Sequence, residues 1–160
     1  MGELNLVNRD LILNSTRILI LISKFETKKT FKLNLYKIML YDFYMKFPQT
    51  MLSKEVRNNN SKDFNEFYSY FHWQPDRDEY NLYLRYLIGK KLIDKIIIGT
   101  DLCYRINEKG INVLKRLESS YSYELKSIAD YIKKEISKLS DSIIESQIVN
   151  ESLKSNKDDY

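Results

Sequence analysis

The apolar and polar positions of residues 76–107 follow two different periods. Over residues 76–88 the apolar side chains recur every three or four positions, which predicts an amphipathic helix with Asp76 as its N-cap. Two short β-branched runs follow at residues 95–98 and 102–106, and the three residues between them include a glycine, which predicts a β-hairpin. A helix, a hairpin and a further helix that begins at Asn107 form the core of a winged-helix domain.

Helical spacing continues on both sides of this core. Further helices are predicted over residues 8–25, 34–47 and 123–139, with two more that begin at Asn107 and at Ser140-Asp141. A short strand is predicted near Phe31. Residues 49–62 lack periodicity and are predicted to form a loop. This loop separates helices that a standard winged helix joins by a tight turn, so the DNA-reading geometry of a helix-turn-helix does not follow from the pattern.

The predicted fold class is mainly α with a small β-hairpin. A winged-helix-like core is expected over residues 1–118. Residues 119–152 form a C-terminal helical extension that packs on this core or on a partner, and residues 153–160 form a flexible tail. The chain length fits a single domain overall.

Composition and charge narrow the class of protein. Hydrophobic residues make up 43% of the chain, which is typical of a folded domain. The 26 basic and 22 acidic residues give a net charge of +4, and the excess is spread evenly over both halves, whereas nucleic-acid binding usually needs a clustered basic face. The single cysteine is typical of a reducing cytoplasm, and the first apolar run is too interrupted to cross a membrane. We therefore expect a cytoplasmic protein without membrane contact.

The residues that could perform catalysis are few. One histidine and one cysteine cannot supply a Cys/His zinc site, and the four glycines form no phosphate-binding loop. Cys103 lies within a predicted strand, where core packing is the default interpretation, although a nucleophilic pair of Cys103 and His72 stays open as an alternative. We interpret the chain as non-enzymatic, without a metal or cofactor of its own.

Three groups of residues are candidates for other functions. The candidate DNA contacts are the basic residues near the hairpin, which could otherwise be a solvated rim: Lys90, Lys91, Lys95, Arg105 and Lys109. The candidate partner interface consists of a loop pair and apolar helix positions, which could otherwise complete the core: His72, Trp73, Leu125, Ile128, Ile132, Ile136, Ile143 and Ile144. Arg17 and Asp42 are predicted to form a structural ion pair between the first two helices.

Several short sequence motifs occur along the chain in an order that is typical of one bacterial family. The matching positions in the two opening helices are Asn8, Ser15, Arg17, Leu19 and Leu21, then Leu33, Leu35, Lys37, Ile38, Asp42 and Phe43. Those in the middle of the chain are Phe71-His72 with Pro75, Lys91-Leu92-Ile93, and Tyr104 with Asn107 and Gly110. Those near the end are Ser119, Tyr121, Leu125, Ala129, Tyr131 and Ser140-Asp141. The family has glycine where Lys91 stands and tryptophan where Tyr131 stands.

Because its motifs follow this order, the chain resembles the small middle component of ABC-three-component systems, the group that includes Lamassu-type anti-phage defence. The resemblance implies a non-catalytic, winged-helix-like subunit that joins an SMC/Rad50-like ABC ATPase to an effector, often a nuclease. Such a subunit holds the effector inactive until aberrant or foreign DNA is sensed, and the ATP belongs to the partner ATPase. The alternative interpretation is a winged-helix transcription regulator that binds a palindrome as a symmetric dimer.

Overall fold

A computed structural model of the chain describes residues 2–52 and 76–157. Its helices are α1 (Gly2–Ser23), α2 (Leu35–Lys46), α3 (Pro48–Met51), α4 (Arg77–Gly89), α5 (Glu108–Lys115), α6 (Ser120–Lys134) and α7 (Asp141–Lys157), and its strands are β1 (Ile93–Ile98) and β2 (Asp101–Ile106). Most of the described chain is therefore helical, and its sheet is a two-stranded hairpin. This confirms the predicted mainly α fold class with a small β-hairpin. Among the described helices, none combines the length and the apolar character that crossing a bilayer requires.

The chain divides into two compact units. The first unit consists of Met1–Ile38 and Asp76–Glu118, and the second of Met39–Pro75 and Ser119–Tyr160. The boundary after Glu118 is also where the sequence analysis divides core from extension, but the described residues 39–52 group here with the C-terminal helices. The predicted limits of the winged-helix-like core stay a prediction.

Helix α1 is the central element of the first unit, where it contacts α4, β2 and α5. Five consecutive residues, Ile18–Ile22 in the chain, are each at most 2% exposed. A helix that is apolar on every side is stable only when it is surrounded, so these residues belong to the core. The helix begins at Gly2, so the predicted start of this helix at residue 8 was wrong. Asn8 lies inside the helix, because helical spacing shows where a helix packs more reliably than where it begins.

The hairpin is more regular than its sequence suggests. Strands β1 and β2 are paired over six residues each, from Ile93↔Ile106 to Ile98↔Asp101. The turn therefore has two residues, Gly99 and Thr100, instead of the predicted three. Gly99 has a φ of +64° at the first turn position, the arrangement of a type II′ turn, whose backbone twist matches that of the flanking strands.

A short extended segment before α2 pairs with β2 on the side that faces away from β1. The amide of Tyr104 donates a 3.0 Å hydrogen bond to the carbonyl oxygen of Leu33, and Asn34 forms a bridge with Cys103. The predicted strand position at Phe31 is thus displaced by two to three residues. Asn34 also caps α2, since its Oδ1 accepts from the amide of Lys37 at 2.9 Å. The element order and this third segment are compatible with a winged-helix-like unit.

The second unit contains the C-terminal helices. Helix α6 begins at Ser120, after Ser119 caps it by accepting from the amide of Ser122 at 3.1 Å. It ends at Lys134 and is followed by a 3₁₀ turn, Ile136–Lys138, so the single predicted helix over residues 123–139 was wrong at both limits. Ser140 begins α7, as predicted, by accepting from the amide of Ile143 at 3.3 Å. Helix α7 includes residues 153–157 of the segment that was expected to be a tail.

Candidate functional site

The end of α4 turns the chain directly into the hairpin. The amide of Leu92 donates to the carbonyl oxygen of Leu87 at 3.0 Å, and the amide of Lys91 donates to that of Ile88 at 2.9 Å. This pair of hydrogen bonds is a Schellman motif, which requires a left-handed residue at the position of Lys91. Lys91 indeed has a φ of +61°, a conformation that glycine adopts at much lower cost. The lysine stands at the position where the resemblance noted in the sequence has glycine.

Asn107 joins the two ends of the hairpin. Its Nδ2 donates to the carbonyl oxygen of Lys91 at 2.8 Å, and its Oδ1 accepts from the amide of Gly110 at 3.0 Å. The predicted cap of α5 is therefore confirmed, and the same side chain also binds the start of β1. A Cβ atom on Gly110 would lie 2.3 Å from the carbonyl oxygen of Leu92, so only glycine allows this approach. The amide of Asn107 also donates to the carbonyl oxygen of Leu92 at 3.2 Å, so the base of the hairpin is fixed at three points.

The two faces of the hairpin differ in exposure near the turn. Directly paired residues of an antiparallel sheet project to the same face, and neighbours along a strand alternate. Ile97 and Leu102 are such a pair, and they are 67% and 43% exposed. Lys95, two positions before Ile97, projects to the same face and is exposed. The tip of the hairpin thus presents two apolar side chains, Ile97 and Leu102, beside the cation Lys95. We call Ile97 and Leu102 the tip pair.

The predicted DNA-contact residues do not form one surface on the hairpin. Lys95 pairs with Tyr104, whereas Arg105 pairs with Asp94 and so projects to the opposite face. Arg105 Nη2 donates to the carbonyl oxygen of Lys29 at 2.5 Å, which occupies part of the guanidinium. A three-residue turn would have set Lys95 opposite Arg105, but the two-residue turn separates them.

The other three candidates lie at the base of the hairpin and on α5. Lys90, Lys91 and Lys109 are exposed, and the ammonium of Lys90 lies 5.8 Å from the centre of the Tyr86 ring. This distance is typical of a cation–π contact. DNA contact by the basic group stays a prediction.

The exposed side of α4 has no single charge sign. Its exposed residues are Arg77, Asp78, Glu79, Leu82, Arg85 and Gly89. Two carboxylates balance two guanidinium groups, and Leu82 between them is 51% exposed. A helix that lies in a DNA groove needs a net positive side, because phosphate contacts supply most of the affinity. The mixed charge of this side therefore gives no support to DNA reading by α4.

One family model matches nearly the whole chain. It is described as ABC-three component (ABC-3C) system Middle Component 2, and it matches residues 12–158. The chain belongs to this family. The resemblance found in the sequence is thereby confirmed, and the chain is a component of an ABC-three-component system. Comparison with the curated proteins and with the solved structures gave no match.

Most of the predicted partner-interface residues of this middle component are buried within its own chain. The buried positions are at most 5% exposed: Leu125, Ile128, Ile132, Ile136 and Ile144. Burial assigns them to core packing, the alternative that the pattern had left open, because a side chain covered by its own chain offers no surface to a partner. Ile143 is 48% exposed and stays a candidate. His72 and Trp73 lie outside the described residues.

Exposed aromatic residues at the start of α6 were missed by the sequence analysis. Tyr121 and Tyr123 are 54% and 58% exposed, and the ammonium of Lys126 lies 5.5 Å from the Tyr123 ring centre. The sequence signal that could have indicated their exposure is their position in a serine-rich stretch before the apolar stripe. Tyrosine is enriched among residues that dominate protein interfaces, so this pair extends the list of candidate contacts.

Arg17 and Asp42 are both buried, at 7% and 0% exposed. Arg17 Nη1 donates to Oδ1 of Asn14 on the same helix at 2.7 Å. The two residues belong to different units, and the structural ion pair between them stays a prediction.

Cys103 is fully buried in β2, which confirms that it packs in the core. Burial, and to a smaller extent the charge of Asp101, raises the pKa of its thiol, so the reactive thiolate is disfavoured. Its proposed partner His72 lies outside the described residues. No cluster of metal-binding side chains occurs within residues that the structure describes.

Proposed function

We propose that this middle component is a non-catalytic adaptor in a bacterial anti-phage defence complex. It links an SMC/Rad50-like ABC ATPase to an effector, a nuclease, and regulates that effector. Membership of the family supports the proposal, since a middle component works with the other components of its system. ATP is bound by the ATPase, and the whole complex works in the cytoplasm.

The exposed tip pair is the single observation that carries the adaptor role. Ile97 and Leu102 are adjacent large apolar side chains on a hairpin whose base is fixed by Asn107 and Gly110. Exposed apolar groups that lie next to one another mark protein contact more often than scattered ones do. A rigid frame also reduces the entropy that is lost when a partner binds.

The charge distribution favours a protein partner over sequence-specific DNA. Lys95 and Arg105 project to opposite faces of the hairpin, and the exposed side of α4 has balanced charges. The transcription-regulator alternative needs a basic reading surface at both places. Contact between this chain and DNA is therefore expected mainly through the complex, with exposed lysines binding phosphates without reading bases.

Co-expression with the other two components of its system tests the proposal. We expect the full chain to elute with the ATPase from a size-exclusion column, and to bring the effector into the same peak. Separate elution of the chain at micromolar concentration would overturn the adaptor role. Tight, sequence-dependent gel shifts by the isolated chain would instead support the regulator.

A further inference from the structure

Strand β1 is an edge strand of the sheet in the part of the chain that the structure describes. The order across the sheet is the segment at Asn34, then β2, then β1, and within residues 2–52 and 76–157 no strand lies beyond β1. An edge strand presents a row of main-chain N–H and C=O groups that another strand can pair with. Such edges usually carry a bulge, a proline or several charges that prevent pairing. The register of β1 is continuous over its six residues, and its sequence IDKIII contains no proline and only two charges, Asp94 and Lys95, of opposite sign.

The side chains of β1 define what an added strand must carry. Ile97 is 67% exposed, and Lys95 projects to the same face two positions away. Lys95 is exposed and makes no ion pair with any described residue, and across the ladder it faces Tyr104. The other charge of the strand, Asp94, already lies opposite Arg105 and 3.4 Å from Nδ2 of Asn107. The unsatisfied features of this edge are therefore one cation and one apolar side chain.

We propose that β1 accepts an extended segment of another component of the complex as an added strand. That segment carries an apolar side chain opposite Ile97 and an acidic one opposite Lys95, and these two are separated by one residue. The inference rests on the proposed adaptor function and states how one contact is made. Main-chain hydrogen bonds supply the affinity, and the alternate side chains supply the specificity, as in other cases of β-strand addition.

A second copy of this chain matches the edge less well. Antiparallel pairing of two β1 strands about Lys95 would place like charges directly opposite each other, which is destabilising, and pairing about Ile96 would place each Lys95 opposite Ile97 and leave its charge unmatched. DNA is also a poor match, because it cannot pair with the main chain of β1 or cover Ile97. An acidic and apolar strand satisfies the backbone, Lys95 and Ile97 together.

Amide hydrogen exchange on the full chain, alone and in the purified three-component complex, tests the inference. We expect the amides of β1 that point away from β2 to exchange at least about tenfold more slowly in the complex, because added main-chain hydrogen bonds protect them. A contact made by side chains alone would leave these amides unchanged. Protection of β1 in the isolated chain that grows with protein concentration would identify a second copy as the occupant, and would overturn the inference.

Matched substitutions separate this contact from general surface effects. Ile97→Lys is expected to weaken association about tenfold or more, and Lys95→Glu about threefold to tenfold. Ile12→Lys changes another exposed isoleucine, 48% exposed on α1, and is expected to leave association unchanged. Melting curves of all three variants should match that of the parent chain.

The outcomes distinguish the inference from the proposed function. If the complex forms with unprotected β1 amides, or if all three variants weaken it equally, β1 is not the docking edge and the adaptor role stands. If no complex forms, the adaptor role fails and the inference fails with it.

Discussion

The side-chain amide of Asn107 donates a 2.8 Å hydrogen bond to the carbonyl oxygen of Lys91, 16 residues earlier. The same side chain caps α5 through the amide of Gly110. One residue thus closes the hairpin at its base and begins the next helix. This relationship gives the exposed tip a fixed support, and the 3.4 Å ion pair between Lys32 Nζ and Asp101 Oδ2 adds a contact next to the turn.

Replacing Asn107 by alanine should lower the free energy of unfolding by about 1–2 kcal/mol, because an N-cap and a long-range hydrogen bond are both lost. Urea denaturation followed by circular dichroism measures the change. Asn112→Ala, an exposed position on the same helix, serves as the control and should change stability by less than about 0.5 kcal/mol. Equal effects of the two substitutions would contradict the assigned role of Asn107.

Replacing Lys91 by glycine should stabilise the protein by about 0.5–1 kcal/mol. The φ of +61° at Lys91 is costly for a residue with a Cβ, and its relief outweighs the greater chain entropy of glycine in the unfolded state. Lys90 has an ordinary right-handed conformation with a φ of −80°, so Lys90→Gly should destabilise slightly. Thermal melts of both variants measure the two changes in stability. A gain in stability from Lys90→Gly alone would contradict the prediction.

The apolar stripe of α6 is part of the core, so shortening one of its side chains should lower the free energy of unfolding. Ile132→Ala removes a fully buried side chain and is expected to lower the free energy of unfolding by about 2–4 kcal/mol. Ile143→Ala removes an exposed side chain of the same size and should cost less than about 0.5 kcal/mol. Denaturation midpoints of the two variants report the difference. Similar small values for both would place the stripe of α6 on a surface.

The stability of the protein should fall in alkaline solution because of Tyr44. Burial raises the pKa of its hydroxyl, which donates to Gln147 Oε1 at 2.8 Å. The unfolded chain then loses the phenolic proton at lower pH than the folded chain does. Stability contributed by the neutral phenol is therefore complete below the ordinary pKa of ~10 and declines above it, by up to about 1.4 kcal/mol per pH unit.

Tyr44→Phe isolates this effect. The variant should be less stable near neutral pH by about 1 kcal/mol through the lost hydrogen bond, but its stability should decline less steeply above pH ~10. Tyr121→Phe, at an exposed position, provides the control and should keep the slope of the parent chain. An unchanged slope in Tyr44→Phe would refute the assignment to that residue.

Local signals in the sequence predicted the hairpin and three helix caps correctly. Asp76, Asn107 and Ser140 each accept a hydrogen bond from an amide two or three residues later, and a cap depends only on such near neighbours. The apolar period of residues 76–88 likewise identified α4. These features can be predicted without knowledge of the rest of the chain.

Features that depend on distant contacts were not predictable. The pairing of Asn34 with β2 depends on residues 69 positions apart, since its partner is Cys103. The stripe of α6 could serve a core or a partner with the same period, and only burial decided between them. The surface composition of the hairpin depended on the turn, because a change of one residue in the register transfers every side chain of a strand to the other face. Lys95 and Arg105, which were grouped as basic residues near the hairpin, therefore project to opposite faces.

The two-residue turn at Gly99 and Thr100 has an evolutionary consequence. A residue inserted into the turn lengthens the loop and leaves the outward side chains unchanged, whereas a one-residue shift in the pairing of β1 with β2 exchanges the inner and outer sets of one strand. Relatives should therefore differ in the length of this turn more readily than in the register of the strands that flank it.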